Sequence, residues 1–233
     1  GLDSSWARLT TGAISVIKAL RMEVPMVIDG RQGAAHLDHA HQLMARVAEN
    51  LGAYRGQDWA HEIATSRQSV QSARLSISAD LQTHIEDDSC IRGCLTEGLA
   101  KAEESSLVDG LLLECIERLL PDAVWIKRHS ALNEDAHFVD MHRHALLIGK
   151  GSLVHCESIT LGLMVMAPGI RYPFHHHPPR EFYLVLSDGE WYQEGAGWFR
   201  PGPGAVVYNP PSIRHAVKAG TGPLLALWGL MHT

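Results

Sequence analysis

The hydrophobic rhythm of the chain changes about half-way along. From His36, the stretch HLDHAHQLMARVAENLGAY places Leu37, Ala40, His41, Met44, Val47, Ala48 and Leu51 on one stripe at spacings of three and four, which predicts an amphipathic helix. Residues 105–120, SSLVDGLLLECIERLL, predict another, with Ser105 or Ser106 capping its start and Pro121 just past its end. The more polar interval 55–105 predicts broken helices and loops. From about Val124 the pattern becomes SLVHCESITLGLMVMAPG, VVYNPP and PLLALWGLM, short apolar or alternating runs bounded by Gly, Pro, Asn and Asp, as strands are. Segment 187–204, SDGEWYQEGAGWFRPGPG, is a series of turn signals around short aromatic pieces. A mainly β protein is expected: a helical region over 1–121 packed on an all-β part over 122–233. No internal repeat or low-complexity linker separates the two.

Composition narrows the partners. With a net charge of −6, nucleic acid and anionic membrane are poor matches, and a small-molecule substrate is expected instead. No apolar run approaches the roughly 20 residues a membrane helix needs. The opening GLDSSWARLTTG lacks a basic region before an apolar core, so a cytoplasmic protein is expected, although Gly1 as first residue leaves a removed signal open. Cys90 and Cys94 would share a helix face as half a zinc site or a redox pair. With no second close pair to complete a site, Cys90, Cys94, Cys115 and Cys156 read as reduced thiols.

The candidate chemistry is concentrated in FHHHPPREFY, residues 174–183. Side chains in a strand alternate between faces, so His175 and His177 share one face and His176 takes the other. Glu181 and Tyr183 are again two apart, and they join the same face if the Pro178-Pro179 step keeps the phase. Two imidazoles and a carboxylate are three ligands for a divalent cation, and His215, behind the turn NPPSIRH, is the fourth. Mixed nitrogen and oxygen ligands suit Zn²⁺, Mn²⁺, Fe²⁺, Co²⁺ or Ni²⁺ better than Ca²⁺ or Mg²⁺. Zn²⁺ is the first choice.

These spacings resemble a known family. Gly169, five residues, His175-x-His177, three residues and Glu181 resemble the first motif of the cupin superfamily. Gly204, five residues, Pro210-x-Ser212, two residues and His215 resemble the second. Ser212 stands where that motif usually has Gly, Ala219 where it usually has Asn, and Gly189 closes the first motif one residue late. The resemblance implies a cupin barrel (a double-stranded β-helix, or jelly roll) enclosing a metal held by those three His and one Glu. The run YPFHHHPPREFYLVLSDGEWY is similar to the cupin-type dimethylsulfoniopropionate lyases, which also carry helices ahead of the barrel. That likeness implies β-elimination to dimethyl sulfide and acrylate. A metal-bound substrate carboxylate stabilises the carbanion, and Tyr183 acts as general base. Tyr172 remains the alternative base.

The substrate's sulfonium cation would favour aromatic walls. The resemblance points to Tyr172 and Trp228, beside Tyr183. Phe174, Phe182, Trp191, Tyr192, Trp198, Phe199 and Tyr208 are expected to pack in the core. His176 is expected to pack outside the metal shell, Arg180 to attract a carboxylate or be solvated, and Glu190 and Glu194 to lie on an exposed hairpin. His36, His39 and His41 lack a fourth ligand. His142 and His144 repeat the HxH spacing without a following Glu and read as edge or packing residues. Glu103-Glu104 and Glu86-Asp87-Asp88 read as solvated. Two other functions share the ligand set: a different metal cupin enzyme (an Fe(II) dioxygenase or an isomerase acting on a small carboxylate), and a non-enzymatic small-molecule-binding cupin. A homodimer through the helical part is an assembly the sequence allows.

Overall fold

Helix α1 (Gly30–Leu51) forms where the three-and-four spacing places it. It buries Ala40, Leu43, Met44, Val47 and Leu51, and each Leu- or Val-sized side chain so removed from water contributes about 1.5–3 kcal/mol. A computed structural model describes residues 30–52, 74–75, 89–128 and 136–232. Most of the polar interval 55–88, with Glu86-Asp87-Asp88, lies outside them. The part of that interval described from Ser89 onward is one helix, α2 (Ser89–Glu104), with Glu103 and Glu104 exposed. Cys90 lies exposed on its first turn, and Cys94 is buried. Helix α3 (Gly110–Leu119) begins later than its sequence suggests. Its cap is Asp109, not Ser105 or Ser106, because the Asp109 carboxylate accepts the Leu111 N–H at 3.0 Å. The same carboxylate accepts Arg46 Nε and Asn50 Nδ2, which ties α3 to α1. Pro121 sits in a 3₁₀ turn, Leu120–Asp122, that ends the helical region.

Among the described residues the strands form two antiparallel sheets. The larger runs β1 (Arg74–Leu75), β4 (Val154–His155), β3 (His142–Ile148), β5 (Ile159–Met166), β12 (Leu224–Met231), β7 (Arg180–Val185) and β10 (Val206–Asn209), with β2 (Val124–Ile126) paired to β3. One β3–β4 pairing in it is parallel. The smaller runs β6 (Arg171–His175), β11 (His215–Ala219), β8 (Gly189–Gln193) and β9 (Gly197–Phe199). A short helix, α4 (Ala136–Asp140), precedes β3. From β5 to β12 the chain passes repeatedly from one sheet to the other, which is the double-stranded β-helix of a cupin barrel.

The central strands read as unbroken apolar runs because both faces are covered. On β12, Leu225 and Leu227 join the cluster that includes the helices, while Leu224, Ala226 and Trp228 join Trp191 and Val217 of the smaller sheet inside the barrel. Helix α2 lies on β5 and β12. Gly98 permits this approach, since a Cβ there would stand 2.1 Å from Leu225. Aromatics divide in the same way. Trp191 is inside the barrel and Phe182 is on the helical side. Trp198 is 41% exposed, and Phe174 and Tyr192 are half-buried outside both clusters, so the expectation of core packing fails for these three. Phe174 instead lies against Tyr192, Trp198 and the Arg214 guanidinium.

The departure at Ser212 has a backbone counterpart. Its φ is 59°, the left-handed conformation that glycine adopts without penalty. Its N–H donates to the His177 carbonyl at 2.9 Å, so the strained turn is tied to a site segment. Ser212→Gly is expected to raise stability by about 1 kcal/mol, read as a higher urea midpoint with an unchanged slope. A lower midpoint would show that the serine side chain compensates the strain.

Candidate active site

The chain builds its candidate site where it crosses between sheets. His175 ends β6 in the smaller sheet, and Glu181 and Tyr183 stand on β7 in the larger one. His177 belongs to the crossing segment itself. The four therefore converge through the crossing, not through one strand's alternation. His215 opens β11 opposite His175 in the register.

All three rings are oriented by backbone carbonyls. Nδ1 of His175 donates to Pro173 at 2.8 Å, Nδ1 of His177 to Pro179 at 2.9 Å, and Nδ1 of His215 to Ile213 at 2.8 Å. A carbonyl only accepts, so the proton of each neutral ring sits on Nδ1 and the lone pair on Nε2. Ligand nitrogens of the three rings lie within 4.8 Å of one another. Nε2 of both His177 and His215 is buried without a hydrogen-bond partner among the described residues. Glu181 approaches His215 Nε2 at 3.0 Å and His177 Nε2 at 3.5 Å, but these are charge contacts without hydrogen-bond geometry. Carbonyl-oriented rings with inward lone pairs are what a bound divalent cation requires. The donor set fits one.

Glu181 is 5% exposed and held from behind. Asn209 Nδ2 donates to its carboxylate at 2.9 Å, and Gln193 Nε2 donates to Asn209 Oδ1 at 2.7 Å. The β7–β10 register places Asn209 directly opposite Glu181, a relation that the turn reading of NPP does not reveal. Burial favours the neutral acid, yet His177 and His215 hold the carboxyl well below the usual carboxylate range. Burial opposes protonation of His177 as well, but Glu181 outweighs it and raises the ring's pKa. Burial, with His215 alongside, lowers His175 to about 4.

His175, His177 and Glu181 line a cavity of about 240 Å³. Tyr172, Tyr183 and Trp228, the three aromatics singled out from the sequence, all contribute to its wall. Trp228 can lie there because β5 carries Gly162 opposite it, where a Cβ would stand 2.4 Å from the indole. Burial raises the Tyr183 hydroxyl well above the ordinary 10, and Glu181 adds to the effect. Burial pushes Tyr172 up to about 12. Without a compensating positive charge, both phenols keep their protons.

Three wall residues were not among the sequence candidates: Leu230 and the polar pair Arg128 and His144. Alternation along β3 turns both His142 and His144 inward, a signal present in the HxH spacing. His142 is a packing residue: its ring stacks on Phe138 at 3.7 Å, and its Nε2 accepts the Arg128 N–H at 2.9 Å. His144 is not, for it lines the cavity with neither ring nitrogen hydrogen-bonded to any described residue. An unpartnered buried polar group costs about 1–3 kcal/mol, so this ring is short of a partner. Burial lowers His142 to about 4 and His144 well below 6.5. Between pH 6.5 and 4 the unfolded chain takes up protons that the folded chain refuses, so stability falls as pH drops through that window. The urea midpoint of metal-free protein is expected to fall between about pH 7 and about pH 4.5, and a flat profile would contradict it.

Other expectations resolve differently. His176 is exposed on the crossing segment, not packed. Glu190 is half-buried and paired with Arg200 at 2.6 Å, whereas Glu194 is exposed. His36 pairs with Asp122.

The crossing segment, the oriented histidines and the aromatic cavity all fall within or beside one matched stretch. Residues 64–226 match the dimethylsulfoniopropionate lyase family. The chain belongs to that family. Among dimethylsulfoniopropionate lyases, it is 33% identical over 106 residues to the enzyme DddQ of Ruegeria pomeroyi, covering 45% of this chain and 53% of that protein. The chain thus spans about half the length of this curated relative. The crystal structure of the Ruegeria pomeroyi lyase DddQ aligns over 58% of this chain and 71% of its own, with a TM-score of 0.49 and 27% identity. A cupin 2 conserved barrel domain protein from Leptotrichia buccalis aligns over 46% of this chain and 44% of its own, at 20% identity and a TM-score of 0.34.

Proposed function

We propose that the chain holds one divalent transition-metal ion, Zn²⁺ by preference, through His175, His177, Glu181 and His215, and cleaves dimethylsulfoniopropionate by β-elimination. Family membership supports the substrate. The observation that carries the site is the trio of imidazoles with Nδ1 tied to carbonyls, two of which, His175 and His177, line one cavity with Tyr183. The bound ion supplies Lewis acidity to a substrate carboxylate oxygen and positive charge beside the phenols.

Tyr183 Oη takes the proton from the carbon next to the carboxylate. The electron pair of that C–H bond becomes the C=C bond of acrylate, and the C–S pair leaves with dimethyl sulfide. Tyr183 is preferred to Tyr172 because it follows Glu181 by two on β7 and so shares its face. Tyr172 and Trp228 wall the substrate and exclude water. Asn209 and Gln193 keep the Glu181 carboxylate in place.

Headspace gas chromatography of purified protein with dimethylsulfoniopropionate tests the reading. Metal-free protein should release no dimethyl sulfide, and added Zn²⁺, Mn²⁺ or Fe²⁺ should restore release. Metal binding without release under any ion would sink the substrate, and oxygen uptake would then point to a dioxygenase.

A further inference from the structure

The end of the cavity formed by Arg128, His144 and Trp228 has a character of its own. The Arg128 guanidinium lies 5.9 Å from the centre of the Trp228 ring. The face that would otherwise attract a sulfonium already has a cation beside it. The His144 ring is 5.6 Å from that of Trp228 and 5.8 Å from that of Tyr172, at steep angles to both. It is 4% exposed, and neither of its nitrogens has a hydrogen-bond partner among the described residues. The indole Nε1 of Trp228 is likewise buried and unpartnered. A neutral imidazole offers one N–H, an indole one N–H and a guanidinium five. This end of the cavity is therefore rich in donors and positively charged, and it faces a group that can only accept.

We infer that Arg128 and His144, with the Trp228 N–H, form a carboxylate-recognising subsite distinct from the three-histidine cluster. Arg128 supplies the charge at the mouth, and His144 supplies a hydrogen bond from the wall. One oxygen of the substrate's carboxylate is drawn to this end, the other is left to the ion that the three-histidine cluster would hold, and the cationic end is kept off the Trp228 face. The segment carrying Arg128 is positioned for this role by its own backbone, since the Arg128 N–H is bonded to His142 Nε2 at 2.9 Å. His142 stands two positions before His144 on the same inward face of β3. The subsite thus selects small carboxylates over small cations, whether or not the ion is bound. Only the identity of the natural carboxylate rests on the lyase reading.

The test is binding of acrylate and of tetramethylammonium to metal-free protein, measured by saturation-transfer NMR. Wild type, Arg128→Gln and His144→Phe are compared. Arg128→Gln keeps the backbone N–H that holds the segment, so the fold is not at stake. Acrylate affinity should fall at least tenfold in Arg128→Gln and severalfold in His144→Phe, while tetramethylammonium binds Arg128→Gln as well as or better than wild type. The opposite responses of anion and cation separate a charge-reading subsite from simple loss of the cavity. Absence of acrylate binding by wild type, unchanged acrylate binding by Arg128→Gln, or parallel loss of both probes would overturn the inference. If wild type releases no dimethyl sulfide but acrylate binding still depends on Arg128, the lyase reading fails and the subsite stands.

Discussion

Tyr183→Phe is expected to reduce dimethyl sulfide release by roughly 10²–10⁴-fold, the range spanned by a positioned general base, while metal content stays at the wild-type level. The substitution removes one oxygen from a ring that is 2% exposed inside the barrel, so packing against Trp191 and the cluster around it survives. The hydroxyl's surroundings make the expectation specific. Burial and Glu181 both favour the protonated phenol, so the group becomes a base only when positive charge is brought beside it. Activity should therefore rise with pH in the metal-loaded enzyme until Tyr183 ionises, and Tyr183→Phe should lose that limb of the profile. Metal content by atomic emission and turnover by gas chromatography check the two halves. If Tyr183→Phe turns over normally, the base lies elsewhere, and Tyr172→Phe becomes the variant to make.

His215→Ala should abolish both metal retention and turnover. His215 is 2% exposed, and its Nε2 meets no hydrogen-bond partner among the described residues, with only the Glu181 carboxylate beside it. Removing His215 deletes one of the four proposed ligands and also one of the two rings that keep Glu181 ionised. Competition with a chelating dye should show affinity weaker by more than about 100-fold, the upper end of what even outer-shell partners are worth. Wild-type protein should melt higher with added Zn²⁺, because a ligand that binds only the folded state stabilises it in proportion to the logarithm of its concentration. The variant should show no such rise. If His215→Ala keeps a full metal complement, the three-histidine cluster is not the site.

The HxH spacing with Glu181 and a later His215 was legible because it is a spacing of a few positions along the chain, although the structure brings the four together through the crossing between sheets and not through the strand period. The rhythm change near Val124 was legible for the same reason, since helices and strands impose different periods on buried positions. The start of α3 was less so: Ser105, Ser106 and Asp109 are all competent caps, and Asp109 prevails because Arg46 and Asn50, distant in sequence, also bind its carboxylate. His144 was read as packing because its HxH lacks a glutamate. What places it in the cavity wall is not a motif but the register of β3 against β5, and of β5 against β12.

By itself, then, the sequence determined the barrel class, the helical part ahead of it and the identity of the cluster residues, because each is written in spacings of a few positions. Only the tertiary structure decided what faces those residues. Asn209 meets Glu181 through strand register, Arg128 reaches the cavity through a bond to His142, and Gly162 clears the space in which Trp228 lies. These relations join residues tens of positions apart. They arise from how strands pair and sheets close, and no local periodicity carries that information.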